Sequence, residues 1–269
     1  GYTESELLGN MGPLDLVQPE QRAFLLQQMV ERAAGIPGKR YELLGVCKDG
    51  RTFPLTILGA PSIFNGQAAS VGTLIDISAQ KEAEQKIREL AEFDVLTGLP
   101  NRRLLQDRVR QMLAAAERDE TSVVLMFLDL DHFKRVNDSL GHGVGDDLLC
   151  AVAQRLLSAV RRVDTVARLG GDEFILAMPG LQTGLAADIA RRLLDECNAP
   201  FVVAGHELIV TPSLGISIYP QDGKDTETLL KNADAAMYKA KELGRNTFQF
   251  YASDMNTATL ERLLMESNL

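Results

Sequence analysis

Two glycines followed by two acids lie between short apolar segments in the stretch Thr165–Met178: Gly170, Gly171, Asp172 and Glu173. An apolar run on each side of a Gly-Gly step is typical of a β-hairpin, which would place the two carboxylates at its tip. Glycine accepts positive φ angles and leaves the backbone accessible to a ligand. Two carboxylates beside an accessible backbone are suited to binding a metal ion and a phosphate group. A solvated turn has the same composition, so this segment alone leaves both interpretations open.

A second acidic position follows the continuous apolar run Val123–Leu128, which predicts a central strand buried on both faces. The run leads into Asp129, Leu130 and Asp131, and in an extended chain the two acids point to the same side. Asp131 has an alternative role as the N-cap of the helix that follows. If Asp129 and Asp172 lie about 4 Å apart, their repulsion is of order 4 kcal/mol, so the pair must take a proton or a cation. Oxygen ligands of this kind favour Mg²⁺.

The 269-residue chain has a net charge of −9 and no run rich in Lys or Arg, which argues against a nucleic-acid-binding surface. Its length suggests about one to two domains, and 45% hydrophobic with 24% charged residues is an ordinary globular composition. No apolar run approaches the length of a membrane span. The sequence lacks a Walker-type phosphate loop, which excludes a P-loop NTPase. Three scattered cysteines without metal or redox spacing favour a cytoplasmic location, even if a longer parent protein is membrane-anchored.

The elements that must position the acids are predicted from hydrophobic periodicity and turn residues. Gly244 is typical of the residue that follows a helix C-terminus. After residue 94 we expect helices over about 104–113, 145–162, 184–198 and 225–243, the hairpin over 165–178, and strands over 123–128, 201–203, 207–210, 214–219 and 247–251.

The first 77 residues read as a separate mixed α/β segment. Its helix, over about 19–34, has Phe24 and Leu25 on the apolar face, and strands follow over 41–47, 52–58 and 69–77. This order resembles the second half of a PAS sensor domain, without that family's first two strands. Four short motifs carry the resemblance: Gly1-Tyr2-Thr3, Glu6-Leu7-Leu8-Gly9, Lys48-Asp49-Gly50 and Asp76-Ile77-Ser78.

The spacing of apolar residues over 78–93 predicts a charged helix, in which Ala83, Ile87 and Leu90 form a narrow apolar seam. We interpret this helix as a signalling linker that transmits the geometry of a dimer. A solvated connecting helix is the alternative.

Residues 94–252 resemble a GGDEF domain of the diguanylate cyclase family. Five ordered motifs carry the resemblance: Asp94-Val95-Leu96-Thr97-Gly98-Leu99-Pro100-Asn101-Arg102; Asp129-Leu130-Asp131 with Phe133-Lys134 and Asn137-Asp138; Gly141-His142 with Gly145-Asp146; Arg168-Leu169-Gly170-Gly171-Asp172-Glu173-Phe174; and Asp234-Ala235-Ala236-Met237-Tyr238 with Ala240-Lys241 and Gly244-Arg245-Asn246. The resemblance implies an α/β (α+β) fold with a palm-like, mostly antiparallel central sheet flanked by helices. It also implies Mg²⁺-dependent condensation of two GTP molecules into cyclic di-GMP and two pyrophosphates, across a homodimer in which each domain holds one GTP.

The resemblance assigns the metal and the catalytic roles by position. Asp129 and Asp172 would bind Mg²⁺, or Mn²⁺ in its place, together with the carbonyl of Leu130. Glu173 would assist the metal or activate the ribose 3′-OH. The catalytic residues would be Asp172, Glu173, Lys241 and Arg245.

The remaining substrate contacts are implied in the same way. Asn137 and Asp146 would read the guanine edge, because an amide and a carboxylate match its acceptor and donor groups. Lys134, Lys241 and Arg245 would neutralise phosphate charge, next to Gly170 and Gly171 of the hairpin. For Lys241 and Arg245, spacing alone favours a simpler role, the charge complementarity of a helix C-terminus.

A third site follows from the offset of Arg161 and Asp164 before Gly170, which matches the family's product-inhibition site for cyclic di-GMP. Arg192 would be a further contact there. Residues 253–269 predict a helix that resembles the connection to an EAL phosphodiesterase domain. We therefore expect the chain to be part of a longer PAS-GGDEF-EAL protein. The alternative function is a GTP-binding module without catalysis that regulates a neighbouring EAL phosphodiesterase.

Overall fold

The computed structural model describes residues 1–8, 10–36 and 38–255, so most of the helix predicted over 253–269 lies outside the described residues. The chain divides into two compact units, one of residues Gly1–Arg88 and one that begins at Glu89. Among the described residues, no helix is long and apolar enough to cross a membrane.

The first unit contains a three-stranded antiparallel sheet in the order β1-β2-β3. Its small core is formed by Val17, Leu25, Leu43, Leu55 and Ile57. Its elements are α1 (Glu4–Leu7), α2 (Arg22–Ala33), β1 (Tyr41–Val46), β2 (Thr52–Phe64) and β3 (Gln67–Asp76), followed by α3 (Ser78–Glu92), which continues into the second unit.

The second unit is a mixed α+β fold around a five-stranded sheet in the order β10-β9-β4-β6-β5. Only the β10–β9 pair of this sheet is parallel, which confirms the predicted fold class. Its elements are α4 (Arg102–Asp119), β4 (Val123–Leu130), α5 (Phe133–Leu140), α6 (His142–Ser158), β5 (Thr165–Gly170), β6 (Glu173–Pro179), α7 (Thr183–Asn198), β7 (Phe201–Val203), β8 (His206–Leu208), β9 (Pro212–Tyr219), α8 (Thr226–Glu242) and β10 (Phe248–Phe250).

Strand β4 is buried along its whole length at the centre of this sheet. Val124 and Met126 belong to the core that includes α6 and α7, whereas Leu125 and Phe127 belong to the core that includes α4 and α8. Because side chains alternate along a strand, Asp129 faces the same side as Phe127. The sheet therefore directs this carboxylate toward α8.

The helix boundaries correct two details of the sequence interpretation. Helix α6 begins at His142 and ends at Ser158, earlier than the predicted 145–162, because the chain turns at Arg161, whose backbone N–H donates to the carboxylate of Asp164. Asp131 is not the N-cap of α5. His132 occupies that position, with a φ of 59° and no capping hydrogen bond from its side chain.

Candidate active site

The predicted hairpin is formed by β5 and β6, and its tip depends on glycine. Gly170 and Gly171 have φ angles of 141° and 53°, which side chains disfavour. The pairing shifts register between Arg168 and Gly170, where the strand bends into the turn. The carbonyl of Asp172 accepts a hydrogen bond of 3.3 Å from the backbone N–H of Leu130. The tip is thereby fixed against the end of β4.

The acids of the two strands meet at this edge of the sheet. Asp129 lies opposite Glu173 in the β4–β6 ladder. Asp129 is 8% exposed, and its Oδ1 lies 2.8 Å from Nζ of Lys241. Burial raises the pKa of Asp129; the Asp172 carboxylate adds to this effect, and Lys241 opposes it. Lys241 therefore does more than complement a helix end, because its ammonium pairs with the Asp129 carboxylate at the end of β4.

Glu173 lies in the same electrostatic environment. Burial raises its pKa, and the carboxylates of Asp234, Asp129 and Asp172 raise it further, while Arg102 opposes them. The sequence interpretation gave no role to Asp234 or Arg102, although both lie in the quoted motifs. Asp234 precedes Lys241 by two helical turns, and this spacing on one helix face was the available signal.

The donors at this edge fit a divalent cation of the Mg²⁺ type. Asp129, Asp172 and the Leu130 carbonyl supply the hard oxygens that such ions prefer. The Lys241 ammonium supplies a positive charge beside Asp129. The part of the chain that the structure describes has no group of three or more Asp, Glu, His or Cys side chains that could hold a metal by itself.

Arg168 fixes the hairpin tip through hydrogen bonds to Asp94 and to the backbone of Gly171. Its side chain is 9% exposed, and Nη1 donates to both carboxylate oxygens of Asp94 at 2.9 and 3.2 Å. Nε and Nη2 donate to the carbonyl of Gly171 at 3.0 and 2.7 Å. This guanidinium, to which the sequence interpretation gave no role, fixes the position of the turn.

Asp94 links Arg168 to the segment that follows α3. Burial raises the pKa of Asp94, but hydrogen bonds from Thr97 and Arg168 lower it overall. Asn101 completes the connection, because its backbone N–H donates to the carbonyl of Glu92 and its side chain to the carbonyl of Ala91. The last turn of α3 and the residues that hold the hairpin therefore belong to one hydrogen-bonded segment.

The predicted guanine contacts lie on α5 and α6. Asn137 packs against Gly145, where an added Cβ would lie only 1.8 Å from Asn137 Oδ1. This Oδ1 atom is buried and has no hydrogen-bond partner. Asp146, which follows Gly145, is exposed, as is Lys134 on α5. The structure thus brings Asn137 next to the residue that precedes Asp146, and the Asn137 amide oxygen is buried there without a hydrogen-bond partner.

The three residues predicted for product inhibition line one surface cavity of about 450 Å³. Nη2 of Arg161 lies 2.8 Å from Oδ1 of Asp164 and also donates to the carbonyl of Pro179. Arg192 on α7 donates to the carbonyl of Ala159 at the end of α6. This cavity, which we call the arginine cavity, lies at the start of β5, the end opposite the hairpin tip.

Comparison with known proteins gives a family match for most of the second unit. The family model described as diguanylate cyclase, GGDEF domain, matches residues 91–247. The chain is 44% identical over 187 residues to the bifunctional diguanylate cyclase/cyclic di-GMP phosphodiesterase MucR of Pseudomonas aeruginosa. That match covers 70% of this chain and 27% of MucR, so the chain spans about a quarter of this relative's length.

Solved structures show the same architecture. The isolated GGDEF domain of TpbB (YfiN) from Pseudomonas aeruginosa superposes with a TM-score of 0.61 at 34% identity, covering 62% of this chain and 99% of that domain. The coiled coil and GGDEF domain of DgcB from Caulobacter crescentus, solved in complex with c-di-GMP, gives a TM-score of 0.59 at 28% identity. That match covers 65% of this chain and 93% of the DgcB chain.

Proposed function

Because the chain belongs to the GGDEF family of diguanylate cyclases, we propose that its second unit condenses two GTP molecules into cyclic di-GMP and two pyrophosphates. The observation that carries this proposal is the acid pair Asp129 and Asp172 at the hairpin tip, with the Lys241 ammonium 2.8 Å from Asp129. Acids arranged in this way bind a divalent cation whose remaining ligands are phosphate oxygens.

A bound Mg²⁺ or Mn²⁺ would supply electrostatic stabilisation of the reacting phosphate. The side chains of the site would neutralise charge, accept a proton and contact the base. Lys241 and Arg245 neutralise negative charge on the triphosphate as it develops. Glu173, whose pKa is raised by burial and neighbouring carboxylates, is suited to accept the proton of the attacking ribose 3′-OH. Asn137 and Asp146 would contact the guanine edge, because an amide and a carboxylate match its acceptor and donor groups.

The reaction joins two nucleotides, and one domain provides one set of these residues. We therefore propose that two copies of the chain meet face to face for each turnover. The first unit, as a PAS-like sensor segment over residues 1–77, and the linker helix over 78–93 would regulate that meeting. The hydrogen bonds from Asn101 to the last turn of α3 support such a connection.

The arginine cavity is proposed as the site where cyclic di-GMP inhibits the enzyme. Arg161 is half exposed, with 49% of its side chain accessible, so its guanidinium can exchange a carbonyl partner for a ligand. Guanidinium groups pair well with guanine acceptor atoms and with phosphate. The DgcB structure was solved in complex with c-di-GMP, which supports a product-binding site in this family.

A second candidate function is regulation without catalysis, in which bound GTP controls an attached EAL phosphodiesterase. The similarity to the cyclic di-GMP phosphodiesterase NbdA of Pseudomonas aeruginosa, 41% identical over 187 residues, favours this alternative, since that relative's name includes no cyclase. Both functions use the same acid pair. Only product formation separates them.

The deciding experiment incubates the chain with GTP and Mg²⁺ and measures cyclic di-GMP and pyrophosphate. We expect both products, with a rate per protein that rises with protein concentration because two copies must meet. Asp172→Asn should lower the rate by at least about 100-fold, because it removes a carboxylate charge that would bind the divalent cation. The control is Asp119→Asn, which changes an exposed acid at the far end of α4. GTP binding without product would favour the regulatory function.

A further inference from the structure

Asp131 is an acid that the proposed reaction leaves without a role. Its side chain is 1% exposed although it lies two residues from Asp129. Oδ1 accepts a hydrogen bond of 2.8 Å from the hydroxyl of Ser213. Oδ2 accepts 2.8 Å from the hydroxyl of Thr211 and 3.1 Å from the backbone N–H of Asn246. This carboxylate is thus fully engaged by donors within the protein.

The Asn246 residue that donates to Asp131 is the second of two consecutive residues in an unfavourable backbone conformation. Arg245 and Asn246 have φ angles of 66° and 46°, so two consecutive residues with side chains adopt the left-handed conformation directly after Gly244. Such a conformation is unfavourable and persists only where its surroundings enforce it. The described contacts that enforce it are the Asp131 carboxylate on the N–H of Asn246 and the Ala240 carbonyl on the N–H of Arg245.

The turn places the Arg245 side chain next to Asp131 and partly in solvent. Nε of Arg245 lies 3.9 Å from Oδ1 of Asp131, while 46% of the arginine side chain is exposed. Lys241, one helical turn earlier, reaches Asp129 from the same end of α8. The two cations therefore stand next to the two acids at the end of β4, one beside each acid.

We propose that Asp131 is a positioning residue that holds the turn of Gly244, Arg245 and Asn246 so that the Arg245 guanidinium faces the triphosphate. This proposal rests on the proposed function, because it assumes that a nucleotide binds at the Asp129–Asp172 edge. A purely structural role, in which Asp131 only joins β4 to β9 through Thr211 and Ser213, is the competing explanation.

A double-mutant cycle in nucleotide binding separates the two explanations. The probe is the α,β-methylene analogue of GTP with Mg²⁺, which binds without reacting, measured by calorimetry. Arg245→Ala should weaken binding by about tenfold, because a charge-assisted contact is lost. Asp131→Asn keeps the volume but removes an acceptor, and it should weaken binding to a similar degree. The double variant should bind no more weakly than Arg245→Ala alone, because both changes remove the same contact.

The matched control is Ser213→Ala, which deletes one donor to Asp131 but leaves the Asn246 contact in place. It should lower the melting temperature without changing the effect of Arg245→Ala. Additive losses in the Asp131–Arg245 cycle would overturn the positioning role, and so would an Arg245→Ala variant that binds normally. If the wild-type chain does not bind the analogue, the proposed function itself fails.

Hydrogen exchange provides a measurement that does not depend on the folding of any variant. The Asn246 amide should exchange as slowly as the buried amides of β9, because its N–H donates to Asp131. Rapid exchange of this amide in the wild-type chain would show that the turn is not held, which would overturn the proposal.

Discussion

The charged side chains near the two ends of β5 differ. Near the hairpin tip, burial raises the pKa of Asp129 and of Glu173, neighbouring carboxylates add to this effect, and the Lys241 ammonium lies 2.8 Å from Asp129. At the start of the strand, Arg161 and Arg192 line one cavity with the carboxylate of Asp164. On the proposed function, we expect the first site to bind a cation and the second to bind an anionic product. Six residues of strand place them about 20 Å apart.

An arginine–aspartate pair lies near each end of β5, one formed by Arg168 on the strand and one by Arg161 just before it. Arg168, with 9% of its side chain exposed, holds Asp94 and the Gly171 carbonyl together beneath the tip. Arg161, with 49% of its side chain exposed, binds the carboxylate of Asp164, whose side chain is only 2% exposed. A buried arginine in such a pair fixes backbone, whereas an exposed one can change partners. The comparison of the two ends of β5 and of the two arginine–aspartate pairs gives three testable predictions.

The largest effect is expected for Arg168→Met. The change leaves the Asp94 carboxylate without its guanidinium and the Gly171 carbonyl without two donors, so we expect a loss of about 3 kcal/mol in the free energy of unfolding. A displaced tip should also lower cyclic di-GMP synthesis by about 100-fold. Urea denaturation and initial rates measure the two losses. Arg161→Met is the matched control and should lose less than Arg168→Met, because the buried Asp164 carboxylate keeps the backbone N–H of residue 161 as a donor. Equal losses in the two variants would remove the distinction.

An intermediate effect is expected for Arg161→Ala on product inhibition. Removing the exposed guanidinium should raise the cyclic di-GMP concentration needed for half inhibition by at least about tenfold, because a charge-assisted contact is lost. Uninhibited turnover should stay near the wild-type rate, since the arginine cavity lies away from the hairpin tip. Arg162→Ala, which removes the neighbouring exposed arginine, serves as the control. Unchanged inhibition in Arg161→Ala would place the inhibitory site elsewhere.

The smallest effect concerns the pH dependence of stability at Glu173. Burial and neighbouring carboxylates raise its pKa, so the folded chain binds this proton more tightly than the unfolded chain does. The resulting stability is present below the ordinary glutamate pKa of about 4.3 and is lost as the pH rises through the raised value. Glu173→Gln should therefore melt above the wild type at neutral pH.

Melting temperatures between about pH 4 and 7.5 test this dependence, with EDTA present. The difference between Glu173→Gln and the wild type should shrink toward acid pH, and added Mg²⁺ should shrink it at neutral pH. Glu117→Gln, at an exposed position of α4, is the control. A difference that does not change with pH would contradict the raised pKa.

The sequence predicted the parts of the fold that depend on local pattern. The β5–β6 hairpin follows from its Gly-Gly step, and the buried strand β4 follows from the run that begins at Val123. Helix α8 begins after Asp225, whose side chain caps it, and ends before Gly244, close to the predicted bounds. In each case the residues that decide the structure are neighbours in the chain.

The sequence did not predict the partners of buried charged groups, because those depend on tertiary packing. Arg168 and Asp94 were both in quoted motifs, but nothing local indicates that they meet. Asp131 was interpreted as a possible helix cap and instead binds Thr211, Ser213 and Asn246.

The first unit gives a parallel case. The predicted apolar face of α2 included Phe24, which is 45% exposed, whereas Arg32 is 3% exposed. The Arg32 guanidinium lies over the Tyr41 ring, with its central carbon 5.3 Å from the ring centroid. Hydrophobic periodicity does not predict such a contact, because it treats a long charged side chain as solvent-facing.

The ion pair between Lys241 and Asp129 has a consequence for affinity. A side chain that already neutralises the acid is a tethered competitor of any arriving divalent ion, and its effective concentration is high because it belongs to the same chain. The measured affinity for the metal alone should therefore understate what the carboxylates could achieve. On the proposed function, an incoming triphosphate would offer the displaced ammonium a new anion, so we expect nucleotide and metal each to improve the binding of the other.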